Sequence, residues 1–257
     1  TKHGDGHNYV KELYHRGVHN FIVNSTVGFE ELDKANFIIV EESLKALQNL
    51  AAHHRSLFDI PVIGITGSDG KTIVKEWLYQ LTTGNYNVTR SPRSYNSQIG
   101  VPLSIWQLND KHQVGFFEAG ISRPDEMDNL RDIIQPTIGI FANIGEAHGK
   151  HFSNINNKVE EKLKLFHNVD TLIYCLDHKE IREAVNRLSV NTFTWSRTDE
   201  TADVLIYSIE KNENHTEIKA TQKLGNSATQ QLKINIPFTD DASIENAIHC
   251  WLTALKI

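Results

Sequence analysis

The chain has 257 residues, 39% of them hydrophobic, enough for one large or two medium domains with packed cores. A formal net charge of -6, from 26 basic and 32 acidic residues with no block of like charges, leaves no electrostatic footprint for nucleic acid or an anionic membrane. Cys175 and Cys250 are too few for a disulfide framework and no CxxC pair suggests zinc, so both read as reduced thiols of a cytoplasmic protein. No apolar run approaches the roughly 18 residues of a membrane span, and the polar start TKHGDGHNYVKEL is no signal peptide. Beginning and end are abrupt, as in a piece of something longer.

In chain order, a helix is expected over Tyr9 to Arg16, short apolar strands at NFIVNS and ANFIIVEES, and a helix through LKALQNLAAHHRSLF. Pro61 opens PVIGIT, a buried-strand pattern, so a boundary near Phe58 to Pro61 divides the chain into residues 1–59 and 60–257. The second block reads as strand 62–66, a glycine loop, a helix from Lys71, a short strand near YNVTR, a helix near 99–108, the strand QVGFFEAG, a helix near 125–134 and the strand TIGIFANI. Such alternation predicts an α/β fold, a mainly parallel sheet wrapped by helices. A helix around 157–167 and the strand TLIYCL follow. Residues 191–238 (NTFTWS, DVLIYSIEKN, HTEIKATQKL, QQLKINIPF) then alternate with period two and predict a small antiparallel β extension. A last amphipathic helix is expected in SIENAIHCWLTALKI.

The stretch GITGSDGKT, residues 64–72, sets a glycine loop between a buried strand and a helix. Such a loop leaves backbone N–H groups unpaired at the helix N-terminus, where the dipole favours an anion. On this reading Gly67, Ser68, Asp69 and Gly70 wrap a polyphosphate, Lys71 reaches its outer phosphates and the Thr72 hydroxyl sits on Mg2+. The spacing departs from GxxxxGK[ST]: Ile65 stands where the first glycine belongs, and Gly64 lies one position early. The plain alternative is a glycine turn with a chance lysine. Downstream, Glu118 ends the strand in GFFEAG and His148 follows the strand in FANIGEAHGKHF, both at the sheet edge where ligands bind in such folds. Singly they read as a solvated strand end and a surface histidine. Together, beside a nucleotide loop, they point to a metal, although Mg2+ prefers oxygen ligands and the histidine is an anomaly.

At TGSDGKT, YNSQIGVPLS, FFEAG, NIGEAH and EEKLKLF, in that order, the chain resembles the Mur ligases, ATP-dependent amide-forming enzymes of peptidoglycan precursor synthesis. The likeness extends over residues 1–257, because HGDGHNYVKELYHRGVHNFIV is similar to the latter part of that family's N-terminal uridine-nucleotide domain. It implies a partial α/β UDP-MurNAc-binding domain at 1–59 and a P-loop, Rossmann-like ATP-binding central domain at 60–257. TGSxGKTxVKE, NSQIGVP and AH rather than DH resemble the MurF branch, which adds D-Ala-D-Ala to a UDP-MurNAc-tripeptide. The texture is also similar to forms fused to an alanine racemase, of which nothing stands in this sequence.

The resemblance implies that a substrate carboxylate attacks the γ-phosphate of ATP to give an acyl phosphate, which an incoming amine converts to an amide. It assigns catalysis to Lys71, His148 and Lys162, one Mg2+ to Thr72 and Glu118, and a second to His148. EEKLKLF places Lys162 where the family carries a carbamylated lysine that also serves the metal; read without the family it is a surface lysine on a charged helix face. Lys158 and Lys164, which a shifted alignment would select, are expected to face elsewhere. Asn246 in SIENAI matches an adenine-recognising asparagine, and Asn96 or Gln98 in YNSQIG come near the nucleotide; otherwise such residues are caps or turns. GISRPDEM and AHGKHFSN depart from the family's usual wording, the second leaving Lys150 and His151 without roles. The family's C-terminal domain, which closes over ATP, would begin where the chain stops at Ile257, so the fragment alone is expected to be inactive as a ligase. Rival readings are another Mur ligase, a folylpolyglutamate synthase-like ligase, and a non-catalytic nucleotide-binding regulatory module. A binder needs no second metal position, so Glu118, His148 and Lys162 favour the enzyme.

Overall fold

The structure is a computed structural model and describes residues 5–145, 154–225 and 228–257. His148, Lys150 and His151 lie outside the described residues. Two compact units divide the chain, Thr1–Leu50 and Ala51–Ile257. In the first, helix α1 (Val10–His15) precedes strands β1 (Asn20–Val23) and β2 (Asn36–Ile39), which pair in parallel with Asn20 opposite Asn36. Val10, Phe21, Val23, Phe29 and Leu32 form its small core. Helix α2 (Ser43–Ser56) carries the chain into the second unit.

The second unit runs β3 (Val62–Thr66), α3 (Lys71–Thr82), β4 (Val88–Arg90), α4 (Gly100–Ile105), β5 (Val114–Glu118), α5 (Met127–Ile134) and β6 (Ile138–Phe141). It continues with α6 (Ile155–Leu163), β7 (Thr171–Cys175), α7 (Lys179–Val185), β8 (Thr192–Ser196), β9 (Val204–Lys211), β10 (Thr216–Lys223), β11 (Thr229–Ile236) and α8 (Asp241–Ala254). Among the described residues, the strands other than β1 and β2 form one sheet in the order β11-β10-β9-β8-β7-β6-β3-β5-β4. β3 and β5 are buried along their whole length, which is why VIGIT and VGFFE read as unbroken apolar runs: a parallel strand covered on both faces has no solvent side to mark. One face packs Ile63, Ile65, Phe116 and Ile140 against Val74 and Leu78 of α3 and Ile244 and Ile248 of α8. The other packs Val62, Phe117 and Phe141 against residues of α4 to α7, among them Ile105, Leu130, Val159 and Ile181. Among the described residues no helix is long and apolar enough to cross a membrane.

The antiparallel strands are β9, β10 and β11, paired in sequence. They continue the main sheet. NTFTWS, expected among them, is instead β8 and runs parallel to β7. The reason is α7, a seven-residue helix too short to show a helical period, whose buried Ile181, Ala184 and Val185 make it a crossover; a crossover returns the chain in the same direction. β9 starts where β8 ends, with only Trp195 opposite Val204 and Ser196 opposite Leu205, so the short loop between them suffices.

β3 lies between β5 and β6, and the chain fills one side of it through β4 and β5 before crossing to β6, β7 and β8 on the other. That reversal opens a crevice at the C-terminal ends of the central strands, the place where ligands bind in open α/β sheets. The glycine loop, Glu118 and residues 142–145 all emerge there.

Candidate active site

The loop after β3 turns into α3 at Gly70, the N-cap, with φ 76° and no side-chain cap on the first helical turn. A left-handed backbone suits glycine, and a Cβ at this position would also run into the Asn246 amide. The uncapped N–H groups of the turn are therefore left for an anion. Gly67 is required by crowding: an added Cβ would lie 3.1 Å from both backbone N and O of Asn143. Asn143 holds the loop from behind, its carbonyl accepting from Ser68 N (3.0 Å) and its Oδ1 from Asp69 N (2.9 Å). The Ser68 hydroxyl is buried with no hydrogen-bond partner among the described residues. An unpartnered buried hydroxyl inside an anion cradle fits a phosphate oxygen.

Glu118 closes β5 and is fully buried, so it is no solvated strand end. Its carboxylate is divided between two donors on α3. Thr72 Oγ1 donates to Oε2 at 2.9 Å, and Lys75 Nζ lies 3.2 Å from Oε1. Thr72 and Lys75 stand three residues apart, on one face of the helix. Lys75 is itself fully buried and also donates to the Arg93 carbonyl, in a loop where Arg93 takes φ 48°. Removing one partner of such a buried pair costs about 3–5 kcal/mol, so Lys75 fixes the carboxylate firmly. A hydroxyl and a carboxylate oxygen beside a phosphate cradle suit Mg2+, which binds few protein oxygens and completes its shell with phosphate and water. Among the described residues no three His, Cys, Asp or Glu side chains gather into a metal site of their own.

Lys71 and Lys162 meet on one carbonyl. Lys71 Nζ donates to Gly67 O (2.9 Å) and Ser68 O (3.0 Å), and Lys162 Nζ, from α6, donates to Gly67 O (2.9 Å). Lys162 is 4% exposed, not a surface lysine. Burial, and then the charges of Lys71 and Lys158, push its pKa down to about 7. Burial also lowers Lys71. Lys158 does not face elsewhere: its Nζ lies 3.5 Å from the Gly145 carbonyl, and its charge acts on both Lys71 and Lys162. Lys164 does turn away, to Glu161, Asp125 and Asp128.

Residues 65–254 match the Mur ligase middle domain. The chain belongs to the Mur ligase family. It is 35% identical over 172 residues to the UDP-N-acetylmuramoyl-tripeptide--D-alanyl-D-alanine ligase of Treponema pallidum, covering 64% of this chain and 38% of that one. Crystal structure I of MurF from Acinetobacter baumannii superposes with a TM-score of 0.85 at 25% identity, over 98% of this chain and 54% of that one. The MurF ligase from Thermotoga maritima, solved in complex with ADP, gives 0.84 at 24% identity over 100% and 58%, a likeness of fold. The chain thus spans from 38% to 58% of these proteins' own length.

Of the other residues the sequence singled out, Asn246 is 4% exposed and packs on Gly70. Asn96 lies against Gly120, just past Glu118, its carbonyl accepting from Gly120 N at 2.8 Å. Gln98 donates to the Glu126 carbonyl (2.9 Å). Sequence reading missed Lys75, Asn143 and His249 of this Mur ligase. His249 on α8 is fully buried, and its Nε2–H donates to the Ala142 carbonyl (2.7 Å), directly before Asn143. Its Nδ1 has no partner among the described residues.

Burial lowers the His249 pKa to about 4. The unfolded chain takes up this proton near the ordinary value of about 6.5, whereas the folded one does so only near 4. Stability should therefore fall as pH drops through that window and level off below it, by roughly 3 kcal/mol in all. His178 acts in a different window: its bond to Glu245 (2.5 Å) raises its pKa, so its contribution is complete below the ordinary histidine value and fades as pH climbs through the raised one. Urea unfolding of His249→Gln, which keeps an N–H donor, should show a flattened slope of stability between pH 4 and 6.5. An unchanged slope would put the titration elsewhere.

Proposed function

We propose that this chain is the ATP-handling part of a MurF-type ligase, which joins D-Ala-D-Ala to a UDP-MurNAc-tripeptide in the cytoplasm through an acyl phosphate. The observation that carries the reading is the hydrogen bond from Thr72, in the open first turn of α3, to the buried Glu118, with Lys71 and Lys162 on the neighbouring carbonyl of Gly67. The substrates come from the name of the Treponema pallidum relative, and the nucleotide is supported by the ADP in the Thermotoga maritima structure. Residues 60–257 are the ATP-binding domain and residues 1–59 part of a uridine-nucleotide domain.

The chemical difficulty is charge, because a carboxylate must approach a polyanion. Loop amides and Lys71 draw negative charge off the phosphate oxygens and hold the chain in line for attack. Thr72 and Glu118 would hold Mg2+, which supplies charge neutralisation between the outer phosphates. Asn246, seated on Gly70, would recognise the adenine ring. Lys162, as a carbamate, would present two oxygens where an ammonium repels a cation. His148 lies outside the described residues.

Calorimetry with ADP tests the reading. Binding should be at least about tenfold tighter with Mg2+ than without, and Thr72→Val should lose most of that gain while keeping metal-free affinity. No binding of ADP with Mg2+ at millimolar concentration would sink it. Substrate choice is read separately, from the mass of the amide the full-length protein makes from D-Ala-D-Ala and from single amino acids.

A further inference from the structure

We propose that Lys75 makes cation binding at Thr72 and Glu118 conditional on nucleotide, by cancelling the carboxylate's charge until phosphate arrives. The proposal rests on the reading that this pair receives a divalent cation. Its own basis is a buried lysine that a phosphate cradle does not need. Lys71 already supplies the loop's cation, and Lys75 is enclosed in the protein with no exposed surface.

Three features fix its position. Its Nζ is 3.2 Å from Glu118 Oε1 and 3.2 Å from Glu76 Oε1, and it donates to the Arg93 carbonyl. Glu76 is itself shared, since Arg90 Nε donates to its Oε2 at 3.0 Å. The acids and bases around Lys75 are thus already matched: Glu118 and Glu76 against Lys75 and Arg90. Glu118 is buried as completely as Lys75, so water screens the pair poorly. A lone dication arriving at Oε2 meets a carboxylate whose charge is countered, and a fixed ammonium on its other oxygen. Enclosed on every side, Lys75 has no solvent to swing into. Only added negative charge restores the attraction, and the polyphosphate seat one turn away on the same helix is where it would be added. Coupling of this kind is reciprocal: phosphate raises affinity for the cation, and the cation raises affinity for phosphate.

Mn2+ serves as the probe, followed by electron paramagnetic resonance. Nucleotide-free wild-type protein should show no saturable site for Mn2+ alone into the millimolar range, and one should appear with ADP. Lys75→Met and Lys75→Gln, the second keeping a hydrogen-bond donor in case the first does not fold, should bind Mn2+ alone about tenfold tighter or more, with a smaller gain on adding ADP. Saturable binding of Mn2+ to the nucleotide-free wild type would overturn the proposal, and this holds even if neither variant folds. So would a folded variant with wild-type affinity for Mn2+ alone. Failure of wild type to bind ADP with Mn2+ would instead remove the site reading, and this proposal with it.

Discussion

Replacing Lys71 by alanine is expected to weaken ATP and ADP binding by roughly 100-fold while the circular dichroism spectrum stays unchanged. Lys71 Nζ lies within 3.0 Å of two loop carbonyls and would turn from them to a bound phosphate. A hydrogen bond to a charged group contributes about 1.5–3 kcal/mol, and every 1.4 kcal/mol is tenfold, so one to two such bonds account for the effect. The fold should tolerate the change, because alanine is a good helix former and a cation at a helix N-terminus opposes the dipole. Unchanged affinity by calorimetry would mean the loop is not the cradle.

The second large effect concerns Lys162. Held in ¹³C-bicarbonate at pH 8, the protein should show a carbamate carbon resonance that Lys162→Ala lacks. Carbamate formation joins CO2 to a neutral amine and releases a proton, so it needs an amine that is not protonated. With its pKa lowered to about 7, chiefly by burial, Lys162 is largely neutral at that pH, and the resonance should fade as pH drops below 7. The same shift has an energetic side. An unfolded lysine keeps its proton up to about 10.4, so the buried amine costs the fold on the order of 5 kcal/mol at pH below 7, a cost that vanishes as pH rises toward 10. A carbamate anion beside the Lys71 and Lys158 charges removes that penalty. Lys158→Ala should therefore weaken the resonance, and Lys164→Ala, whose partners are Glu161, Asp125 and Asp128, should leave it intact. In the full-length ligase Lys162→Ala should lose most activity and regain part of it with small carboxylic acids. Normal turnover in that variant would end the assignment.

The parts of the fold that could be read ahead of the structure were those where one residue's local chemistry decides. Apolar runs announced β3 and β5, the glycine-lysine stretch announced the turn from β3 into α3, and Glu118 stood out because a charge ends a buried strand. What escaped depends on distant neighbours. Lys75 in a helix reads as a solvated charge, and only the arrival of Glu118 from β5 makes its burial tolerable. Asn143 acts through its fit to a loop on another strand. Lys158 was misdirected because four residues along α6 return to the same face, the spacing that sets it beside Lys162. β8 was misassigned because period two marks a strand without giving its direction.

The loop's supports arrive from far along the chain. Lys162 reaches the Gly67 carbonyl across 95 residues, His249 reaches the Ala142 carbonyl across 107, and Cys250 Sγ meets the Val74 carbonyl across 176. Contacts so distant must pay loop-closure entropy before they gain anything, which makes them slow to form. During synthesis the glycine turn therefore leaves the ribosome long before the helix that backs it, and remains without its support until α8 has emerged. On the proposed reading nucleotide affinity is thus a late property of the maturing chain, and gain of binding is expected to time the last packing event of this domain.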